Sequence, residues 1–216
     1  DRTEDLNLED ATALFDKVRA GSFSPEDADR FRGHMLTQMA RMSVEDGLVM
    51  QIHAGSMRNH SSGVMQNFGR DKGYDIPART DYVHALRPLL NAVGGRADLR
   101  VIAFTLDESN YARELAPLAG VYPALKLGPP WWFHDSYEGM MRFRKTTTET
   151  AGFYNTVGFN DDTRAFCSIP ARHDVARRVD CAYLAELVAT GRLHADDAAD
   201  VAYDLSYRLA KQAYRL

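Results

Sequence analysis

Apolar residues recur along this chain at two different spacings. In the N-terminal stretch Leu6, Leu8, Ala11, Leu14, Phe15 and Val18 keep the steps of a helix until Gly21 breaks the run. Ser24-Pro25-Glu26-Asp27 then reads as a new helix start, with serine as N-cap, proline at the first helical position and acids in the first turn. That helix is predicted to run to about Met42. From Gly47 onward strands and helices alternate. Residues 47–53 form the first predicted strand, and residues 54–78 a long polar, glycine-rich loop, a length that inside a compact domain marks a lid or binding loop.

Tyr82, Val83, Leu86, Leu89, Leu90 and Val93 form an apolar helical stripe ended by Gly94-Gly95. Residues 99–105, 121–127 and 153–160 are predicted as further strands, with helices over 107–119 and 135–150 between them. Val175, Val179, Tyr183 and Leu187 mark the next helix, and Ala198, Ala202, Leu205 and Leu209 the last. Strands separated by helices imply parallel pairing through right-handed crossovers, hence an α/β fold. Four such units alone leave an open sheet and part of a barrel both possible. The expected division is a helical segment over 1–46 and one α/β domain over 47–216.

With 216 residues, 45% of them hydrophobic, the chain can bury one substantial core. Its 26 basic against 30 acidic residues form no basic block, which argues against nucleic acid or an anionic membrane surface as partner. No apolar run approaches the ~20 residues of a membrane span, and the charged N-terminal residues do not read as a signal peptide. Two cysteines, Cys167 and Cys181, make no disulfide framework, so a reducing, cytoplasmic setting is expected. The motifs for dinucleotide binding, NTP hydrolysis and α/β-hydrolase chemistry are missing, and no two of the seven histidines stand in an H-x-H pair.

Three polar clusters follow predicted strands, where α/β folds build their sites. The first is Gln51-Ile52-His53-Ala54-Gly55-Ser56-Met57-Arg58-Asn59. His53 suits metal ligation or proton exchange, or a histidine hydrogen-bonded beneath the loop. Arg58 and Asn59 suit an anionic or polyhydroxylated ligand, or a tie across the loop. The second is Lys126 with Gly128-Pro129-Pro130-Trp131-Trp132. Adjacent tryptophans on extended backbone point opposite ways, so one is expected to face a cleft, and Lys126 either reaches the same mouth or stays in solvent. The third is Asp161, Asp162 and Arg164. One aspartate can ligate a cation or act as base while the other caps a helical turn, and the arginine can orient a carboxylate.

Taken in order, the segment from Met50 to Asn59, Gly128 through Trp131-Trp132-Phe133-His134-Asp135, and Asp161-Asp162-Thr163-Arg164-Ala165-Phe166 with Arg172-His173 resemble the C-terminal half of the uronate (glucuronate) isomerases, a divergent branch of the amidohydrolase superfamily. The resemblance runs over residues 47–216 and extends weakly into the N-terminal helices. It implies a (β/α)8 TIM barrel of which this chain supplies strands five to eight. It implies an enzyme of hexuronate catabolism that interconverts D-glucuronate with D-fructuronate, and D-galacturonate with D-tagaturonate, by proton transfer through an enediol. The family pattern makes Asp162 a metal ligand and catalytic residue and Arg164 a contact to substrate. His53, Arg58, Asn59, Trp131 and Trp132 are then expected around the hexuronate.

Two departures from the pattern matter. The family has a single acid where this chain has Asp161 before Asp162, and only the spacing to Arg164 selects Asp162. The H-x-H metal pair of the family's first strand has no counterpart here, and a TIM barrel alone takes about 250 residues. The expectation is therefore a divalent metal, zinc, whose remaining ligands lie outside this chain. The expected partners are the missing N-terminal half of the barrel, the hexuronate and further copies in a homo-oligomer, and the chain by itself is expected to be inactive. A metal-dependent hydrolase and a non-catalytic sugar-binding relative remain the rival readings.

Overall fold

Two helices open the fold in a computed structural model that describes residues 2–161 and 165–216. Helix α1, Leu8–Arg19, starts at Asn7, whose side chain accepts from the Asp10 N–H. Helix α2, Pro25–Asp46, starts at the expected N-cap Ser24 and closes it into a capping box: Ser24 accepts from the Asp27 N–H and Asp27 accepts from the Ser24 N–H. It runs four residues past Met42 and stops at Gly47, which takes the left-handed conformation (φ 69°) that ends helices.

Strand β1, Val49–Ala54, follows directly. The predicted loop after it holds short elements of its own. Strands β2, Ser56–Met57, and β3, Ile76–Pro77, form a small antiparallel ribbon, and α3, Ser62–Phe68, lies between them, capped by Ser61. The stripe at 82–93 is two helices, α4 (Tyr82–Ala85) and α5 (Arg87–Val93), because Pro88 in the first turn of α5 has no N–H to continue a single ladder. After β4, Arg100–Thr105, comes a π-helical turn, Tyr111–Leu115, that leads into α6, Ala116–Val121.

Strand β5 covers Leu125–Leu127 alone, shorter than the run predicted from 121. Val121 closes α6, and Pro123 cannot donate to a strand ladder. Helix α7, Tyr137–Ala151, is capped by Ser136. The predicted fourth strand is a correction: over 153–160 there is one parallel bridge, Leu127 to Thr156. Thr156 folds back onto the Phe153 carbonyl through both its N–H and its hydroxyl, and Gly158 takes φ 72°, which extended backbone does not allow. Beyond a 3-10 turn, Phe166–Ser168, helix α8 spans Ile169–Ala189. Then come α9, Ala195–Tyr203, a π-helical turn, Asp204–Arg208, and α10, Leu209–Tyr214.

The main sheet is parallel, in the order β1-β4-β5, with His53 opposite Phe104 and Ile102 opposite Lys126. Alternation along the strands gives it two faces. Met50, Val101, Ala103, Leu125 and Leu127 pack on the helical layer through Ala40, Leu89, Leu90, Leu115 and Phe143. Each fully buried Leu, Val or Phe of this layer contributes about 1.5–3 kcal/mol, and the alanines less. The other face presents Val49, Ile102 and Phe104 to Val157, Ala213 and Tyr214, so α10 covers part of it. Tyr214 reaches from there to Gln51 and Asn160, both at 3.2 Å, and burial pushes its hydroxyl up to about 12, keeping it a donor. Arg215 donates to the carbonyls of Gly47 and Asp98 at the opposite end of the strands from the clusters.

A buried ion pair holds the bridging segment in place. Arg144 of α7 donates to both carboxylate oxygens of Asp180 in α8 (2.6 and 3.0 Å) and lies 3.4 Å from the Thr156 hydroxyl. No helix among the described residues is long and apolar enough to cross a membrane.

Candidate active site

The carboxyl ends of the three parallel strands open into a cleft of about 570 Å³. His53, one residue before the end of β1, stacks flat on Phe104 of β4, with ring centroids 4.1 Å apart. Trp131 meets the same imidazole edge-on at 4.9 Å. Two of the three predicted clusters therefore converge on one wall.

The two tryptophans do not alternate, because the backbone between them is not extended. Trp132 takes φ 61°, and the Phe133 N–H closes a three-residue turn onto the Trp131 carbonyl (2.9 Å). Both rings line the cleft, 5.6 Å from each other. Strain of this kind persists only where surrounding contacts hold it. Here Arg58 stacks over Trp132, its guanidinium carbon 5.4 Å from the ring centre.

Arg58 also lies 3.5 Å from Asp75 and 3.7 Å from Asp71, two residues of the ribbon loop. Asn59 bonds as a loop tie: its N–H donates to Asp75 (2.9 Å) and its side-chain oxygen accepts from the Asp71 N–H (3.0 Å). Lys126 does not line the cleft. It is half-buried and donates to the Tyr154 carbonyl and the Asn155 side chain, and burial lowers its pKa from the ordinary lysine value.

Asp162 and Arg164, the proposed catalytic pair, lie outside the described residues. Asp161 is described: its carboxylate is 2% exposed and accepts from Arg172 Nε at 2.9 Å to both oxygens. The other end of the Arg172 guanidinium donates to Asp135. Sequence reasoning gave no role to Asp71, Asp75, Asp135, Asn160 or Arg172, all of which line the cleft. One signal was readable for Arg172, a cation in the first turn of a helix, where the dipole disfavours it.

Two histidines adjoin lining residues in sequence, His134 before Asp135 and His173 after Arg172. His134 is buried 3.2 Å from the Tyr111 hydroxyl, and burial lowers its pKa against the opposing pull of Glu108 and Asp135. His173 lies edge-on to Phe159, and burial lowers its pKa as well. Among the described residues no three His, Cys, Asp or Glu side chains come together to hold a metal ion. Those residues therefore do not fit a metal centre by themselves. Among the described lining residues three aspartates face two arginines, so an anionic ligand needs further positive charge.

A parallel sheet with helices, and an aromatic, arginine-bearing cleft beyond its strand ends, make this an α/β protein with a cleft where such folds build their sites. The family model for glucuronate isomerase matches residues 2–214. Over 214 residues the chain is 70% identical to the uronate isomerase of Rhizobium meliloti (strain 1021), covering 99% of this chain and 46% of that protein. It is 69% identical to the uronate isomerase of Phenylobacterium zucineum, over 99% and 45%. The crystal structure of glucuronate isomerase from Caulobacter crescentus superposes with a TM-score of 0.96 at 63% identity, over 99% of this chain and 45% of that one. That of uronate isomerase from Thermotoga maritima gives 0.90 at 26% identity, over 99% and 47%. The chain belongs to the glucuronate isomerase family. It spans about half the length of the curated relatives it matches.

Proposed function

We propose that this chain is the C-terminal half of a (β/α)8 barrel over residues 47–216, behind a helical segment over 1–46, with β1, β4 and β5 as strands five to seven and the bridged segment over 153–160 in the eighth position. The barrel interconverts D-glucuronate with D-fructuronate and D-galacturonate with D-tagaturonate in the cytoplasm. The observation that carries the reading is the family match across residues 2–214, together with 70% identity to a uronate isomerase. The cleft at the carboxyl ends of the parallel strands supports it, since barrel enzymes work at that face.

The reaction moves a proton from C2 to C1 through an enediol, and needs a base, an acid and positive charge beside the developing oxyanion. Asp162 is the base and one ligand of a divalent cation, zinc, whose other ligands come from outside this sequence. Such a cation would supply positive charge for the developing oxyanion. Arg164 takes the hexuronate carboxylate, the positive charge that the aspartate-rich wall lacks. His53, Arg58, Trp131 and Trp132 contact the sugar, with Asn59 fixing the loop that carries Arg58. Met35, Met39 and Met42, exposed along α2, support a homo-oligomer.

The test compares two neighbouring acids in the polypeptide of full family length. Asp162→Asn should lose bound metal and reduce kcat/KM by about 10²-fold or more, the scale for losing a charged group in the chemical step. Asp161→Asn should keep its metal and lose about tenfold or less. Equal losses, or full metal content in Asp162→Asn, would reject the assignment.

A further inference from the structure

We propose that Arg172 is a positioning residue that clamps the two loops of the cleft together, a role that rests on the reading of this chain as part of a hexuronate isomerase. Three features point to it. Arg172 is the fourth residue of α8, where the helix dipole repels a cation and where the helix has no acidic residue in its first turn and no side-chain cap. Its guanidinium is divided between carboxylates from two separate loops. Nε serves Asp161, at the end of the bridging segment, and Nη2 serves Asp135, three residues beyond Trp132. Finally, the Asp161 carboxylate is almost wholly buried, a position a charge keeps only when paired.

The two loops so joined are those that matter for the proposed chemistry. One carries Trp131 and Trp132 on the cleft wall. The other leads by a single peptide bond from Asp161 into Asp162 and on to Arg164. A planar fork spans two acceptors at fixed separation, whereas an ammonium is a single point of charge. Asp161 therefore sets where the catalytic segment begins, Asp135 sets the tryptophan wall, and Arg172 fixes one relative to the other.

The experiment uses the full-length polypeptide with Arg172→Lys and Asp135→Ala, assayed well below their melting temperatures and normalised to folded protein. Arg172→Lys keeps a cation beside buried Asp161 but cannot span both loops. It should lower kcat on D-glucuronate about tenfold or more while KM changes less than about threefold. Asp135→Ala removes the acceptor, leaves the Asp161 pair in place and frees the tryptophan loop, so it should raise KM with kcat little changed. Acrylamide quenching, taken as the difference from a Trp131→Phe, Trp132→Phe background so that only these two rings are read, follows the loop without turnover and should rise in both variants.

Unchanged quenching in both variants overturns the clamp, even in a polypeptide that proves inactive on hexuronates. Native kcat per folded molecule in Arg172→Lys, with only the melting temperature lowered, overturns it too, because a purely structural role gives that result. Failure of the isomerase reading looks different: the unmutated polypeptide shows no hexuronate turnover, while the quenching differences persist.

Discussion

Two imidazoles, His134 and His173, set a pH dependence, because burial lowers the pKa of each. His134 is buried beside the Tyr111 hydroxyl, and burial holds its pKa below the ordinary histidine value. The unfolded chain therefore takes up a proton that the folded protein refuses as pH falls through the ordinary histidine value of about 6.5. Below that value the unfolded state binds more protons, so stability falls with acidification. The unmutated protein should lose melting temperature between pH 7 and pH 5, and His134→Gln should flatten part of that decline. Parallel curves for the two proteins would remove His134 as a source of it. Other residue-scale features were open to the sequence in part. The Ser24 N-cap was legible because four consecutive residues, Ser24-Pro25-Glu26-Asp27, carry it. The left-handed Trp132 was not, because nothing local announces positive φ at a bulky side chain; Arg58, seventy-four positions earlier, holds the ring.

Packing between elements places the imidazole of His53. Gly128, just past β5, lies against the Phe104 ring, and a methyl group added there would sit 2.5 Å from two ring carbons. Phe104 cannot yield without disturbing His53, stacked on its other side. Gly128→Ala should therefore cost about 1–3 kcal/mol, the range for overfilling a packed core, and weaken ligand binding in the cleft. Gly63→Ala, with open space around it, is the control; equal melting temperatures for the two variants would contradict this account. Periodicity located every long helix and three parallel strands, because burial on one face repeats locally. It overextended the strand runs at 121–127 and 153–160, where Pro123 and Gly158 override the apolar pattern. The clamp among residues 135, 161 and 172 was beyond local reading, since it joins side chains that only the fold brings together.

For the molecule as a whole, β1 pairs with β4 along one edge, and on the far side of β5 a single bridge is described. If the chain is half of a barrel, both edges await strands from the other half. Residues 1–216 expressed alone should then aggregate or pair edge to edge, and show no isomerase activity. Sedimentation and a uronate assay decide the matter: a monodisperse, cooperatively melting and active monomer would refute the half-barrel reading. The way β1 is secured also bears on how the fold is reached in time. Tyr214 donates to Gln51 across 163 positions of sequence, and Arg215 to the Gly47 carbonyl across 168. A ribosome adds about 5–20 residues per second, so on the order of ten seconds pass between synthesis of that strand and of the residues that fasten it. Through that interval the face of β1 and β4 that α10 covers stays open on the nascent chain, a ready docking site for a chaperone or for a neighbouring chain on the same message.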